Sequence, residues 1–211
     1  MDSHIVVTGK GGVGKSFAAI QLHQYFANKG MTVHGYDTDP VNATYGKHAS
    51  FGVTIVPLLD SGNTVDPRCF DPFFEHIASQ TDENSVAIVD NGTSSFLAFC
   101  SYMATCPALQ LLSTRGSVYL HAIFVGSAVQ FSWNNLRDLA RAFPAYPLVV
   151  WLNPFFGPIV NEAGQKFEEM PEFMELQPNI HSIVQIPDLI PATYGKDLED
   201  LMSRRQSFED A

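Results

Sequence analysis

The sequence predicts an α/β protein, a doubly wound and mostly parallel sheet flanked by helices, formed as a single domain over residues 1–211. Three observations carry this. Short runs rich in Val and Ile recur along the chain with little apolar–polar alternation, as expected of strands covered on both faces. Amphipathic segments of helical period separate them. A glycine-rich loop joins the first apolar run to the first amphipathic segment. With 211 residues, the chain can bury one full core but not two ordinary ones.

In order, residues 4–8, 32–36, 53–58, 85–89, 118–125, 148–152 and 182–186 read as strands. Residues 16–29 read as the first helix, with Ala19, Leu22, Tyr25 and Phe26 on one face. Residues 70–79, 131–142, 162–176 and 192–204 read as further helices, that over 162–176 broken or kinked at Pro171. Cys100 and Cys106, among Phe96, Phe99 and Met103, read as small buried thiols in a helix. No repeat or low-complexity stretch interrupts the pattern.

Composition excludes several classes. Lys and Arg number 12 against 22 Asp and Glu, a net charge of −10, most of it concentrated in residues 160–211. Such a chain does not coat nucleic acid by bulk charge, and weak direct DNA binding is the most it predicts. The three cysteines form no C-x-x-C pair, which fits a reduced, cytoplasmic setting. The stretches 91–114 and 116–136 are free of charge, but Ser, Thr, Asn, Gln and His stud both, so they read as buried core with no membrane span. No export signal is expected at the N-terminus. The seven histidines show no zinc-binding spacing.

The chemistry concentrates in Gly9-Lys10-Gly11-Gly12-Val13-Gly14-Lys15-Ser16, which satisfies G-x-x-x-x-G-K-[ST] between a strand and a helix. Glycines let successive N–H groups of Gly11, Gly12, Val13 and Gly14 point inward, where a helix N-terminus adds positive potential. Lys15 supplies an ammonium for the β- and γ-phosphates, and the Ser16 hydroxyl a ligand for Mg²⁺. Asp37-Thr38-Asp39-Pro40 closes the second strand. A carboxylate there can orient an attacking water or hold a metal's hydration shell, which makes Asp39 a third candidate around Mg²⁺. Val86-Ala87-Ile88-Val89-Asp90 is an apolar strand ending in an aspartate that would bind Mg²⁺ through water.

The motif K-G-G-V-G-K-S resembles the deviant Walker A of the ParA/MinD ATPases, P-loop NTPases of the SIMIBI type. The resemblance implies ATP or ADP and Mg²⁺ as ligands and ATP-driven homodimerisation, with Lys10 reaching the partner subunit's phosphates. It implies that Asp39 positions or activates water and that Asp37 supports Asp39 and the metal. It places Asn153 against adenine, and Pro187 and Asp188 near the base through backbone atoms. Asn153-Pro154 also reads as a turn initiator, and both readings stand. After Asp90 the family usually has prolines. This chain has Asn91-Gly92-Thr93-Ser94-Ser95, an atypical switch II.

Longer segments are similar to the TraL/StbB-type ATPases of conjugative plasmids. These are Asp37 to Thr44, Asp90 to Phe96, Val150 to Ile159, and Ile183 to Pro187 followed by Thr193-Tyr194-Gly195. They imply a role in conjugative transfer or plasmid positioning, with a plasmid-encoded protein partner, either a DNA-binding adaptor or a transfer component. A nucleotide-dependent scaffold with negligible hydrolysis is the alternative. A small-molecule kinase fits less well, because Lys10 then has no role and no arginine-rich lid is evident.

Overall fold

The computed structural model describes residues 1–39, 41–59, 64–188 and 191–208, the side chains of 191 and 192 excepted. Seven strands form one sheet: β1 (Asp2–Val6), β2 (Thr32–Asp37), β3 (Thr54–Ile55), β4 (Ser85–Asp90), β5 (Val118–Val125), β6 (Leu148–Asn153) and β7 (Ile180–Gln185). Their order is β3-β2-β4-β1-β5-β6-β7, and every pairing is parallel. The doubly wound expectation is met. The strands β4 and β6 are buried along their whole length, which explains their unalternating apolar sequences.

Helices cover both faces. On one side α2 (Phe70–Ser79), α3 (Phe96–Thr105), α4 (Ala108–Ser113), α5 (Val129–Ala142) and α6 (Pro171–Leu176) bring Phe70, Phe74, Phe99, Trp133 and Phe173 onto Ile5, Val89 and Phe124. Trp133 stacks on Phe167 at 4.7 Å and donates its indole N–H to Met170 Sδ. On the other side α1 (Lys15–Asn28) sets Ala19, Ile20 and Leu22 against Val6, Ile88 and Trp151, with Met202 of α7 (Lys196–Arg204) at the margin. No described helix is long and apolar enough to cross a membrane. The charge-free stretches 91–114 and 116–136 hold α3, α4, β5 and the first half of α5.

Two expectations need correction. The segment 162–176 is not one kinked helix. Asn161 Oδ1 accepts the N–H groups of Ala163 and Gln165, and Gly164 sits at φ +77, so 161–165 closes as a turn. Pro171 then opens α6 in its first turn, where a missing N–H costs nothing. The strand over 53–58 shrinks to Thr54–Ile55, with both residues exposed at the sheet edge.

Pattern reading also missed a polar ladder within the α1-side core. The indole of Trp151 (β6) donates to Nδ1 of His121 (β5) at 2.9 Å, and His121 Nε2 lies 2.8 Å from Nδ1 of His4 (β1). Because an indole only donates, His121 carries its proton on Nε2 and passes a hydrogen bond to His4. Burial pushes His4 down to about 4 and His121 well below the usual range, so both are neutral.

Candidate nucleotide site

The sheet order explains why the motifs meet. Strand β1 lies between β4 and β5, and β2 lies beside β4, so the segments after β1, β2 and β4 leave the same edge together. In register, Val6 pairs with Asp90 and Asp37 also pairs with Asp90. This is the carboxyl-end crevice where doubly wound sheets bind ligands.

The loop after β1 runs into α1 through Gly14, whose φ is +104. A side chain there would be strained, and its Cβ would stand 2.9 Å from Asn153 Nδ2. No side chain caps this helix, so its first-turn N–H groups face the crevice uncovered. Three outside groups shape the loop. Asn153 donates to Val13 O at 2.9 Å, Asn135 Oδ1 of α5 accepts from Gly9 N at 3.2 Å, and the Phe96 ring packs on Gly9. The Asn153 amide is thus engaged with the loop backbone, while its Oδ1 accepts from Phe155 N. Pro187 and Asp188 lie exposed after β7.

Lys15 is buried, and its ammonium donates to Lys10 O at 2.9 Å and to Thr93 Oγ1 at 2.8 Å. Burial lowers its pKa, opposed by the charges of Asp90 and Asp39. Lys10 is half-buried, with its ammonium 5.7 Å from the centroid of the Phe131 ring, itself partly exposed on α5.

The three carboxylates differ. Asp37 is fully buried and clamps the base of its loop, with one oxygen accepting from Asp39 N at 2.9 Å and the other from Gly46 N at 2.8 Å. Burial raises its pKa, and these N–H groups oppose the rise. Asp90 accepts a hydrogen bond from Ser16 and is pushed up to about 7, by burial first and then by the charge of Asp37. Asp39 is half-buried, and its Oδ1 accepts from Val41 N and Asn42 N. Asp90 thus meets Ser16 and feels the charges of Asp37 and Asp39, only partly compensated by Lys15. That donor set fits a divalent cation taking oxygen ligands. The uncovered amides and Lys15 opposite fit phosphate.

The segment after β4 holds the residues that motif reading did not assign. Asn91, fully buried, offers Oδ1 to the hydroxyls of Thr38 at 3.1 Å and Ser95 at 3.0 Å. Gly92 fits flush against Asp39: a Cβ would stand 2.6 Å from the Asp39 Cα. Thr93 reaches Lys15. The run of small polar residues after Asp90 was the available signal; nothing in the sequence marks Asn135.

The family model described as the CobQ/CobB/MinD/ParA nucleotide binding domain matches residues 4–201. The chain belongs to this nucleotide-binding family. Within it the chain also belongs with the TraL proteins: Protein TraL of Escherichia coli is 38% identical over 211 residues, spanning 99% of this chain and 86% of the relative. A solved MinC:MinD cell division protein complex from Aquifex aeolicus superimposes with TM-score 0.55 at 14% identity, over 98% of this chain and 86% of that one. Signal recognition particle 54 kDa protein from Aeropyrum pernix, in complex with GDP, gives TM-score 0.53 at 16% identity over 96% of this chain and 48% of that one. These two likenesses establish the fold, and the family match establishes nucleotide binding as the family property. Among the described residues, no group of three His, Cys, Asp or Glu side chains is placed as a metal cluster.

Proposed function

We propose that the chain is an ATP-binding and ATP-hydrolysing dimerisation switch of a single domain, acting in the cytoplasm in conjugative plasmid transfer or plasmid positioning. The carrying observation is the convergence of Lys15, Ser16, Asp37, Asp39 and Asp90 on one crevice below uncovered helix amides. The loop amides of Gly11 to Ser16 and the Lys15 ammonium hold the phosphates. Ser16 and Asp90, with Asp39 beside them, hold Mg²⁺, which when bound neutralises charge on the phosphate oxygens. Asp37 fixes the loop that carries Asp39. Asp39 takes the water-orienting role through its second carboxylate oxygen. Asn153 steadies the floor of the adenine end, with Pro187 and Asp188 at its rim.

Lys10 stands at the rim and acts in trans. Leaving Phe131, its ammonium reaches the phosphates held by a second copy, so the ATP state is dimeric and the ADP state monomeric. A plasmid-encoded protein, a DNA-binding adaptor or a transfer component, reads that state. Direct DNA contact is weak at a net charge of −10. Light scattering with ATP, ADP and no nucleotide tests this reading: a dimer confined to ATP is expected, and a monomer throughout rejects the switch.

A second reading, a scaffold that binds ATP with negligible hydrolysis, draws on one observation. Asp39 Oδ1 is committed to the N–H groups of Val41 and Asn42, which ties the carboxylate to its own turn. Single-turnover hydrolysis separates the two: ATP cleavage by the isolated chain supports the switch, and bound ATP that stays uncleaved supports the scaffold.

A further inference from the structure

Two neighbouring residues of α1, His23 and Gln24, are buried, and each holds a different part of the chain. Both lie about two turns along α1 from Lys15, away from the phosphate end. His23 holds the loop that follows β2. Its Nδ1 lies 2.7 Å from the hydroxyl of Tyr45, which is fully buried, and its ring stacks on Phe51 at 4.2 Å. Phe51 stacks in turn on His48, also buried, at 5.1 Å. Gly35 of β2 leaves the room that Tyr45 occupies, since a Cβ there would stand 2.5 Å from the tyrosine hydroxyl. The next residue, Gly46, donates its N–H to Asp37 Oδ2. Seating Tyr45 therefore fixes one end of a clamp whose other end is the Asp39 N–H on Asp37 Oδ1.

Gln24 holds the segment that follows α7. Arg205 ends that helix at φ +57, in the left-handed region, with its N–H on Met202 O and the Gln206 N–H on Leu201 O. This reversal, uncommon for a residue other than glycine, turns residues 205–208 back onto α1. Ser207 is buried there, and the Phe208 N–H donates to Gln24 Oε1 at 2.6 Å. The same segment meets the loop after β2 at His48. Burial and then the Arg205 charge lower the His48 pKa, and a backbone contact with Arg205 opposes them. Residues 205–208 thus lie against α1 and against the loop that α1 seats. We propose that they form a strap, holding the loop over 41–51 on α1 and with it the turn of Asp37 and Asp39. Lifting the strap loosens that turn without anything entering the crevice. What the loosening does to hydrolysis rests on the reading of Asp39 as the water-orienting group; the coupling itself does not.

The test is amide hydrogen exchange of the full chain without nucleotide. Gln24→Met keeps the length of the side chain and removes the acceptor of the Phe208 N–H; Gln24→Glu keeps an acceptor. Losing one hydrogen bond predicts about fivefold faster exchange in Gln24→Met, at Gly46, His48 and Phe51 as well as at Phe208. The amides of β6 should exchange as in the parent chain, which separates a lifted strap from a loosened core. Gln24→Glu should match the parent chain throughout. Coupling is reciprocal, so Tyr45→Phe, which cuts the loop from His23 and leaves residues 205–208 intact, should speed exchange at Phe208. Faster exchange confined to residues 205–208 in Gln24→Met, faster exchange that extends to β6, no change at all, or a Phe208 amide indifferent to Tyr45→Phe would each overturn the proposal. Because no nucleotide is present, the strap and the hydrolysis reading fail separately: a chain that never cleaves ATP can show the coupling, and a chain that cleaves it can lack the coupling.

Discussion

Two loops flank the crevice, and they are built by different means. The loop after β1 is shaped by its backbone, with Gly12 and Gly14 at positive φ and helix amides turned to the open side. The segment after β4 is built from side chains, with one amide oxygen of Asn91 holding two hydroxyls and Gly92 lying flush on Asp39. Backbone construction demands particular residues at fixed spacing, so it leaves a motif. A hydroxyl network can be assembled from many small polar residues, so it leaves only a composition. The first loop turns donors outward; the second ties its neighbours to one another.

Asp39 lies between the two loops and gives the largest expected effect. Asp39→Ala should lower turnover about a hundredfold or more while ATP affinity stays, because the loss falls on the water and not on the phosphates. It should accumulate an ATP-bound dimer in light scattering. Lys10→Ala should fail in the opposite way, binding ATP through Lys15 and the amides but staying monomeric and inactive. A Lys10→Ala monomer that hydrolyses at full rate would sink the trans mechanism.

Lys15 tests the first loop alone. Lys15→Ala removes a charge-assisted contact of about 1.5–3 kcal/mol and should weaken ATP binding at least tenfold by calorimetry. Unchanged affinity would reject the reading of this loop as the phosphate site.

The contrast also explains which features were legible in the sequence. Strands 118–125, 85–89 and 148–152 were legible because burial on both faces leaves largely apolar runs without alternation. The helix α4 left no clean period, since short helices in a charge-free stretch look like any buried segment. Gly9 to Ser16, Asp37, Asp39 and Asp90 were legible as types at strand ends. Their division of labour was not: only the fold shows Asp37 spending both oxygens on backbone N–H groups while Asp39, two residues on, engages one oxygen among the described residues. Asn135 was invisible because its role, one bond to Gly9 N, depends on α5 arriving from more than a hundred residues away in sequence. The break at Pro171 was expected, but the residues before it were misassigned: the Asn161 turn competes successfully for backbone that a helix would have used.

The strands beneath the two loops differ as well, and pH separates them. Under the first loop, β1 carries His4, held neutral against His121; under the second, β4 is apolar from Val86 to Val89. Burial pushes His4 down to about 4, whereas the unfolded value is about 6.5. The unfolded chain therefore binds more protons across that window, so stability is full above about 6.5 and is lost as pH falls toward 4. Urea unfolding at pH 7.5 and 5.5 should differ by about 1 kcal/mol for each such histidine. His4→Gln, which keeps an acceptor for His121, should reduce the difference by that amount. An unchanged difference would place the acid sensitivity elsewhere.

The smallest effect bears most directly on the second loop. Thr38 donates toward Asn91 Oδ1 at 3.1 Å and Asp90 O at 3.2 Å, and Ser95 donates toward the same Asn91 oxygen at 3.0 Å. Thr38→Val is nearly isosteric and removes one neutral hydrogen bond, a cost of about 0.5–1 kcal/mol in unfolding free energy. Ser95→Ala should cost a similar amount. If the segment after β4 is a network, the two losses cannot be independent, because either substitution leaves the shared oxygen to the remaining hydroxyl. The double variant should then depart from the sum by about 0.5 kcal/mol or more. Thr38→Val paired with Thr93→Val, whose hydroxyl faces Lys15 and shares no partner with Thr38, should be additive. Additivity in both pairs would mean that the segment is a set of separate bonds and not a network through Asn91.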